Sequence, residues 1–231
     1  MSLLLISNSG QPPFGHCRES LARVLPAGAD VAVVTAARLD DPEKRFQSVQ
    51  PALTACGTRP FHYRYDRDSV TVLERADAIV VPGGNTYALL QRLRHCGALG
   101  VIARLVRAGV SYVGASAGSN IAGRTILATN DWNVVATTRF EGMDLVPWAI
   151  NPHYLFVDPA SAPGSETRDQ RIGELVSQRR QAVLAIEEQT AVLVEDGSAT
   201  VVGTGRAKFF APDVDPVWLA SGDTLPAGIT P

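Results

Sequence analysis

The feature that most narrows the choice of fold is a recurrence of short, unbroken apolar runs: Leu3 to Ile6, Val31 to Val34, Ala78 to Val81 and Tyr112 to Ala115. A strand with one wet face alternates apolar with polar residues, whereas a run apolar at every position is buried on both faces, as in a parallel sheet covered by helices. Helical patterns stand between the runs. Gln91-Arg92-Leu93-Arg94 belongs to one, and in Val101 to Ala108 the residues Ile102, Leu105 and Val106 fall at i, i+3 and i+4. The alternation predicts an α/β fold with a mostly parallel sheet.

The last fifth of the chain changes character. Ala191 to Val194, Thr200 to Val202, Ala207 to Phe210 and Val217 to Leu219 read as short strands separated by turn chemistry at Glu195-Asp196-Gly197-Ser198 and Gly203-Thr204-Gly205. They predict a C-terminal antiparallel extension of the same domain. Residues 158–166 form a Pro/Gly/Ser loop, after which Thr167-x-x-Gln170 makes a capping box ahead of Ile172, Leu175 and Val176, so a helix starts there, with Arg179-Arg180 at its charged end. No repeat, low-complexity tract or linker divides the chain, which is read as a single domain over residues 1–231.

Composition excludes several functions. Hydrophobic residues at 45%, charged residues at 19% and a mean hydropathy of +0.05 describe an ordinary globular chain. A net charge of −2 supplies no electropositive field for nucleic acid or an anionic membrane, and no apolar stretch approaches a membrane span. Cys17, Cys56 and Cys96 are odd in number, widely spaced and in no CxxC pattern, so neither a disulfide framework nor a structural zinc is expected. A reducing cytoplasm is. The N-terminus lacks the basic start of a signal peptide. No HxH, HExxH or carboxylate cluster suggests a metal, and no nucleotide-phosphate loop is present, so no cofactor is expected.

Chemistry concentrates in two segments. Gly114-Ala115-Ser116-Ala117-Gly118 follows an apolar strand and precedes a helix start, the context in which small flanking residues let a sharp turn push a serine hydroxyl out of the sheet. Pro82-Gly83-Gly84-Asn85-Thr86 follows another strand, and its glycines leave backbone amides uncovered, which suits an oxyanion. A nucleophilic serine needs a base. Of the four histidines, His62 fits an edge strand and His95 a helix end, His16 lies in the loop after the first strand, and His153 follows a short apolar run that Pro152 stops. His153 is the better candidate. It lies too far from the C-terminus for an α/β-hydrolase, whose HGGG-type loop is also missing.

Taken together, Leu3-Leu4-Leu5-Ile6-Ser7-Asn8-Ser9, Pro82-Gly83-Gly84-Asn85-Thr86, Gly114-Ala115-Ser116-Ala117-Gly118-Ser119-Asn120, Thr129-Asn130-Asp131, Asn151-Pro152-His153 and Glu166-Thr167-Arg168-Asp169-Gln170-Arg171-Ile172 resemble the peptidase E family of α-aspartyl dipeptidases, related to the cyanophycinases. The resemblance runs in order from residue 3 to about 220. It implies a cytoplasmic serine peptidase on a fold similar to class I glutamine amidotransferases, acting on dipeptides with N-terminal Asp. By the same resemblance Ser116 is the nucleophile, His153 the base, Asp131 a third catalytic member, and the amides of Gly84 and Ala117 the oxyanion hole. Glu188, in Ala185-Ile186-Glu187-Glu188-Gln189-Thr190-Ala191, is a rival to Asp131. The chain departs from the family at Ala115, where a Trp is usual.

Arg168 stands in the first turn of the expected helix, where the dipole disfavours a cation. The resemblance makes it the clamp for the Asp side chain, with Arg171 a weaker candidate and Asn85 a further substrate-binding residue. Two other readings stand beside an α-aspartyl dipeptidase, either a cyanophycinase-like β-aspartyl peptidase or a non-catalytic binding module on an amidotransferase-like scaffold. The expected partner is a small peptide, on a monomer or homodimer, with no nucleic acid and no membrane.

Overall fold

A computed structural model describes residues 1–161 and 163–226 of the chain. Ala162, within the loop expected at 158–166, and the last five positions of the expected domain, 227–231, lie outside the described residues. Each apolar run becomes a strand. β1 (Leu3–Ile6), β2 (Asp30–Val34), β4 (Ala78–Val81) and β5 (Ser111–Ala115) are joined by β3 (Arg59–Tyr63), and the five lie parallel in the order β3-β2-β4-β5-β1. β8 (Thr190–Glu195) and β9 (Ser198–Gly203) continue this sheet antiparallel beyond β1, giving seven strands.

Helices cover both faces, which is why the runs carry no polar alternation. α1 (Arg18–Val24) and α2 (Pro42–Thr54) bury Leu21, Val24, Val49 and Leu53 against Leu4, Ile6, Val31, Val33 and Val113. On the other face α3 (Thr86–His95), α4 (Ala98–Arg107) and α5 (Ala117–Ala122) pack Leu89, Leu93, Ile102, Val106 and Ile121 against Leu3, Leu5, Val34, Ile79 and Tyr112. Among the described residues no helix is long and apolar enough to cross a membrane.

The expected C-terminal extension is present but divided between two sheets. β10 (Ala207–Phe210) and β11 (Val217–Leu219) belong to a second sheet, ordered β11-β10-β7-β6, with β6 (Ala149–Tyr154) and β7 (Val183–Glu187) parallel to each other. α6 (Arg168–Arg179) covers one of its faces through Ile172 and Val176, and the capping box forms as Thr167 and Gln170 predict. The other face, through Ile150, Leu184, Ile186 and Phe209, belongs to the same apolar cluster as Leu3 and Val192 of the first sheet. β4, β5 and β1 are neighbours, so their carboxyl ends lie side by side, and that edge of an open α/β sheet is where ligands bind.

Candidate active site

Ser116 sits between the last residue of β5 and the first of α5, with φ 53° and ψ −110°. A non-glycine residue holds such a backbone only where its surroundings fix it. Here its N–H donates to Ile6 O at 2.9 Å, and Ser119 Oγ lies 2.8 Å from the carbonyl oxygens of both Ile6 and Gly114, tying the helix to two strands. The flanking glycines are demanded by space. A Cβ on Gly118 would stand 2.0 Å from Val81 O, and one on Gly114 would stand 2.6 Å from the Gly118 carbonyl. Ala115 faces the α1/α2 core with 1% exposure, so its side chain packs and lines no cleft.

Pro152 does not stop the strand, as the sequence suggests; β6 runs on to Tyr154, with its register against β7 shifted between Pro152 and Tyr154. β6 is an edge strand, where a residue without N–H is tolerated. At the irregularity His153 takes φ 57°, and its N–H donates to Ser7 Oγ at 2.8 Å, while that hydroxyl donates to Ile186 O at 3.0 Å. The parallel pairing Tyr154↔Glu187 then brings Glu188 level with the imidazole. Nδ1–H donates to Glu188 Oε1 at 2.7 Å, which leaves Nε2 to accept from Ser116 Oγ at 2.8 Å. The ring is 40% exposed, open to a substrate.

The glycine loop meets the serine directly, since a Cβ on Gly83 would lie 3.0 Å from Ser116 Cβ. Gly84 is pressed against the turn after β2, where a Cβ would stand 2.4 Å from Ala37 O. Among the described residues, the N–H groups of Gly84 and Ala117 have no acceptor. Two free amides beside a serine hydroxyl are the raw material of an oxyanion hole. Asn85 has both ends of its amide engaged, Oδ1 accepting from Ala88 N at 2.9 Å as the cap of α3 and Nδ2 donating to Trp132 O at 2.9 Å. It fixes the loop.

Asp131 is not brought to His153. Its Oδ2 accepts from Thr86 N at 2.7 Å and from Thr129 Oγ1 at 3.3 Å, so it caps the start of α3. The neighbouring Asn130 donates to Pro152 O at 2.8 Å, and Asn151 donates to Asn130 Oδ1 at 2.7 Å. The two motifs thus form one brace under the His153 strand. Arg168 is half-buried, has no acidic partner among the described residues, and has its protonated form opposed first by burial and then by the charge of Arg171. Arg171 is exposed and paired with Glu166 at 2.6 Å. His62 Nε2 lies 2.7 Å from Thr35 Oγ1 and its Nδ1 lies 3.0 Å from Glu43, away from the site, and His95 ends α3. Burial lowers the pKa of His16, opposed in part by the charge of Glu188, and its buried Nε2 has no hydrogen-bond partner among the described residues. Ser7 and Asn8, present in the sequence motif without an assigned role, gain one here: Asn8 Oδ1 accepts from Gln189 N at 3.1 Å, holding the backbone next to Glu188. Their signal was a polar pair placed immediately after a fully apolar strand. Among the described residues no group of three metal-ligating side chains converges.

A hydroxyl, an imidazole and a carboxylate in one hydrogen-bonded line, at the carboxyl edge of an α/β sheet, are the geometry of serine hydrolases. The comparisons narrow that class. Residues 3–202 match the profile described as Peptidase family S51. A relative from Streptomyces coelicolor named "Peptidase E" is 38% identical over 97% of this chain and 93% of its own. One from Drosophila melanogaster named "Probable alpha-aspartyl dipeptidase" is 37% identical over 92% of this chain and 90% of its own. The crystal structure of a peptidase from an acI-B1 Actinobacterium superposes with a TM-score of 0.71 at 18% identity, covering 97% of this chain and 96% of that one, which shows the fold. The chain belongs to peptidase family S51, and it is a serine peptidase.

Proposed function

We propose that the protein is an α-aspartyl dipeptidase working as one domain, in which Ser116 is the nucleophile, His153 the base and Glu188 the group that orients it. The observation that carries the proposal is the line Ser116 Oγ, His153 Nε2, His153 Nδ1, Glu188 Oε1, at 2.8 and 2.7 Å. Ser116 Oγ attacks the peptide carbonyl carbon as its proton passes to Nε2, and the oxyanion is received by the N–H groups of Gly84 and Ala117. The imidazolium, stabilised by Glu188, gives the proton to the departing amine, and water then cleaves the acyl-enzyme with the same histidine as base.

Arg168 is the clamp for the Asp side chain, because a half-buried guanidinium without an acidic partner gains most from a carboxylate ligand. The names of the relatives support the substrate class. Three free thiols suit a reducing cytoplasm, and a net charge of −2 suits a small peptide better than nucleic acid; as a monomer or homodimer the chain would need no other partner. Purified Ser116→Ala should lose roughly 10³-fold or more in kcat on Asp-Leu with an unchanged circular dichroism spectrum, and a serine-directed phosphonate should label the wild type at Ser116 alone. Ordinary turnover by Ser116→Ala would end the reading. Turnover of the β-linked isomer with none of Asp-Leu would replace it by a β-aspartyl peptidase.

A further inference from the structure

The turn after β2 is closed by Arg38 N–H, which donates to Thr35 O at 3.0 Å, and its next three carbonyl groups each have a donor. The middle one, Ala37 O, accepts from Asn85 N at 2.8 Å. The outer two, Ala36 O and Arg38 O, accept from a single guanidinium nitrogen, Arg92 Nη1, at 2.9 and 2.6 Å. Arg92 stands about two helical turns beyond Asn85, the cap of α3, so one face of that helix grips the turn at two points. The guanidinium is half-buried and seated against Tyr65, 5.2 Å from the ring centroid.

This turn is the backing of the glycine loop. A Cβ on Gly84 would stand 2.4 Å from Ala37 O and 2.6 Å from Ala37 C, so the two backbones meet with no room between them. On the loop's other side a Cβ on Gly83 would lie 3.0 Å from Ser116 Cβ. The loop is therefore held between the nucleophilic serine and the turn, and the direction of the Gly84 N–H follows the position of the turn. A hydrogen-bond donor aimed at a developing oxyanion tolerates little displacement, because its worth depends on being in place before the charge appears.

We propose that Arg92 is a positioning residue for the oxyanion hole: by holding residues 36–38 it fixes the Gly84 N–H where negative charge develops on the scissile carbonyl oxygen. The inference rests on the reading of Gly84 and Ala117 as the oxyanion amides and adds the residue that aims one of them. Its effect belongs to the transition state. The carbonyl oxygen of bound substrate gains little from a well-aimed donor and the tetrahedral oxyanion gains most, so kcat responds to Arg92 and KM does not.

The test uses Asp-Leu and two inhibitors: β-alanine, which is aspartate without its α-carboxyl group, and the same molecule carrying a boronic acid in that place. With the boronic acid the Ser116 Oγ–B bond forms as the Oγ proton passes to His153 and nothing leaves, so boron becomes a tetrahedral anion with an oxygen in the hole; β-alanine puts no atom there. Arg92→Met should lower kcat by roughly 10- to 100-fold, less than outright loss of an oxyanion donor, with KM within about threefold. It should weaken the boronic acid by about the same factor as kcat falls and β-alanine by no more than about twofold. Arg92→Lys, whose ammonium can still donate to a carbonyl, should fall between wild type and Arg92→Met. A merely structural role would reduce the fraction of sites labelled by the serine-directed phosphonate and leave kcat per labelled site and the ratio of the two inhibition constants in place. That result, equal weakening of both inhibitors, or a raised KM with kcat kept would each overturn the assignment while leaving the dipeptidase standing. Where Arg92→Met fails to fold, the same comparisons on Arg92→Lys decide alike. A wild type inhibited no better by the boronic acid than by β-alanine would overturn the oxyanion reading and this inference together, and one that cleaves no Asp-X peptide would overturn the dipeptidase as well.

Discussion

Glu188 and Asp131 are both acidic residues in otherwise unremarkable polar segments, and nothing local separates them. What separates them is a strand pairing: β6 lies beside β7, so the residue after β7 falls level with His153, whereas Asp131 is tied to the first N–H of α3. Ser116 as the proposed nucleophile is legible because such a turn makes local demands, two glycines and a serine between a strand and a helix. His153 as its proposed base is legible in part by elimination among four histidines. The choice between Glu188 and Asp131 is not, since a parallel pair between residues 149–154 and 183–187 leaves no mark on the residue types of either segment. Glu188→Gln should lower kcat on the order of 10²–10⁴-fold, because a neutral amide no longer stabilises the imidazolium and accepts no more readily than it donates. Asp131→Asn should stay within about tenfold of the wild type, since an amide oxygen can still accept from Thr86 N. Steady-state rates of the two variants on one substrate decide it, and a larger loss in Asp131→Asn would move the orienting role to Asp131.

At the scale of elements, the helix over Arg168–Arg179 shows how a local code and a long-range one combine. Thr167 and Gln170 satisfy each other's backbone donors at 3.2 and 2.7 Å, a contact confined to four residues and therefore readable from sequence. The strand before it, β6, runs past the point its sequence suggests for the opposite reason. A proline after an apolar run looks like a stop, but β6 is an edge strand whose missing N–H faces no partner, and the chain continues through Pro152 into the irregularity that turns His153 out. With Arg168 as the proposed clamp, the cap gains a functional consequence, because the turn it fixes carries that residue. Thr167→Ala should destabilise the fold by about 1 kcal/mol in urea unfolding. It should also raise KM for Asp-Leu with less effect on kcat, as the first turn frays and the clamp loosens while the serine, held by β5 and α5, stays in place. A variant destabilised by that amount with KM unchanged would show that Arg168 does not depend on the cap.

Across the whole molecule, the sequence reads correctly as a parallel sheet followed by antiparallel strands, yet it says nothing of how those strands are shared out. The turns at 195–198 and 203–205 look equivalent, but one closes a hairpin on the first sheet and the other carries the chain to the second. Which sheet a strand joins is fixed by the apolar faces waiting for it, and those are assembled from residues far apart in the chain. Ile150, Leu184, Ile186 and Phe209 of the second sheet share one cluster with Leu3, Leu5, Val192 and Trp148, so one face of each sheet is packed into a core that both supply. The hydrogen-bonded line proposed as catalytic crosses the same junction, with Ser116 at the end of a first-sheet strand and His153 and Glu188 on and beside strands of the second. Cooperative unfolding is the expected outcome. Fluorescence, which reports the buried Trp148, far-ultraviolet dichroism and loss of activity should fall on one urea curve, and Ile186→Ala, by opening a cavity in the shared cluster, should shift that whole curve by about 2–5 kcal/mol. Two separated transitions, with Ile186→Ala moving only one of them, would show that the second sheet is an independent folding unit and that the active site is built between domains.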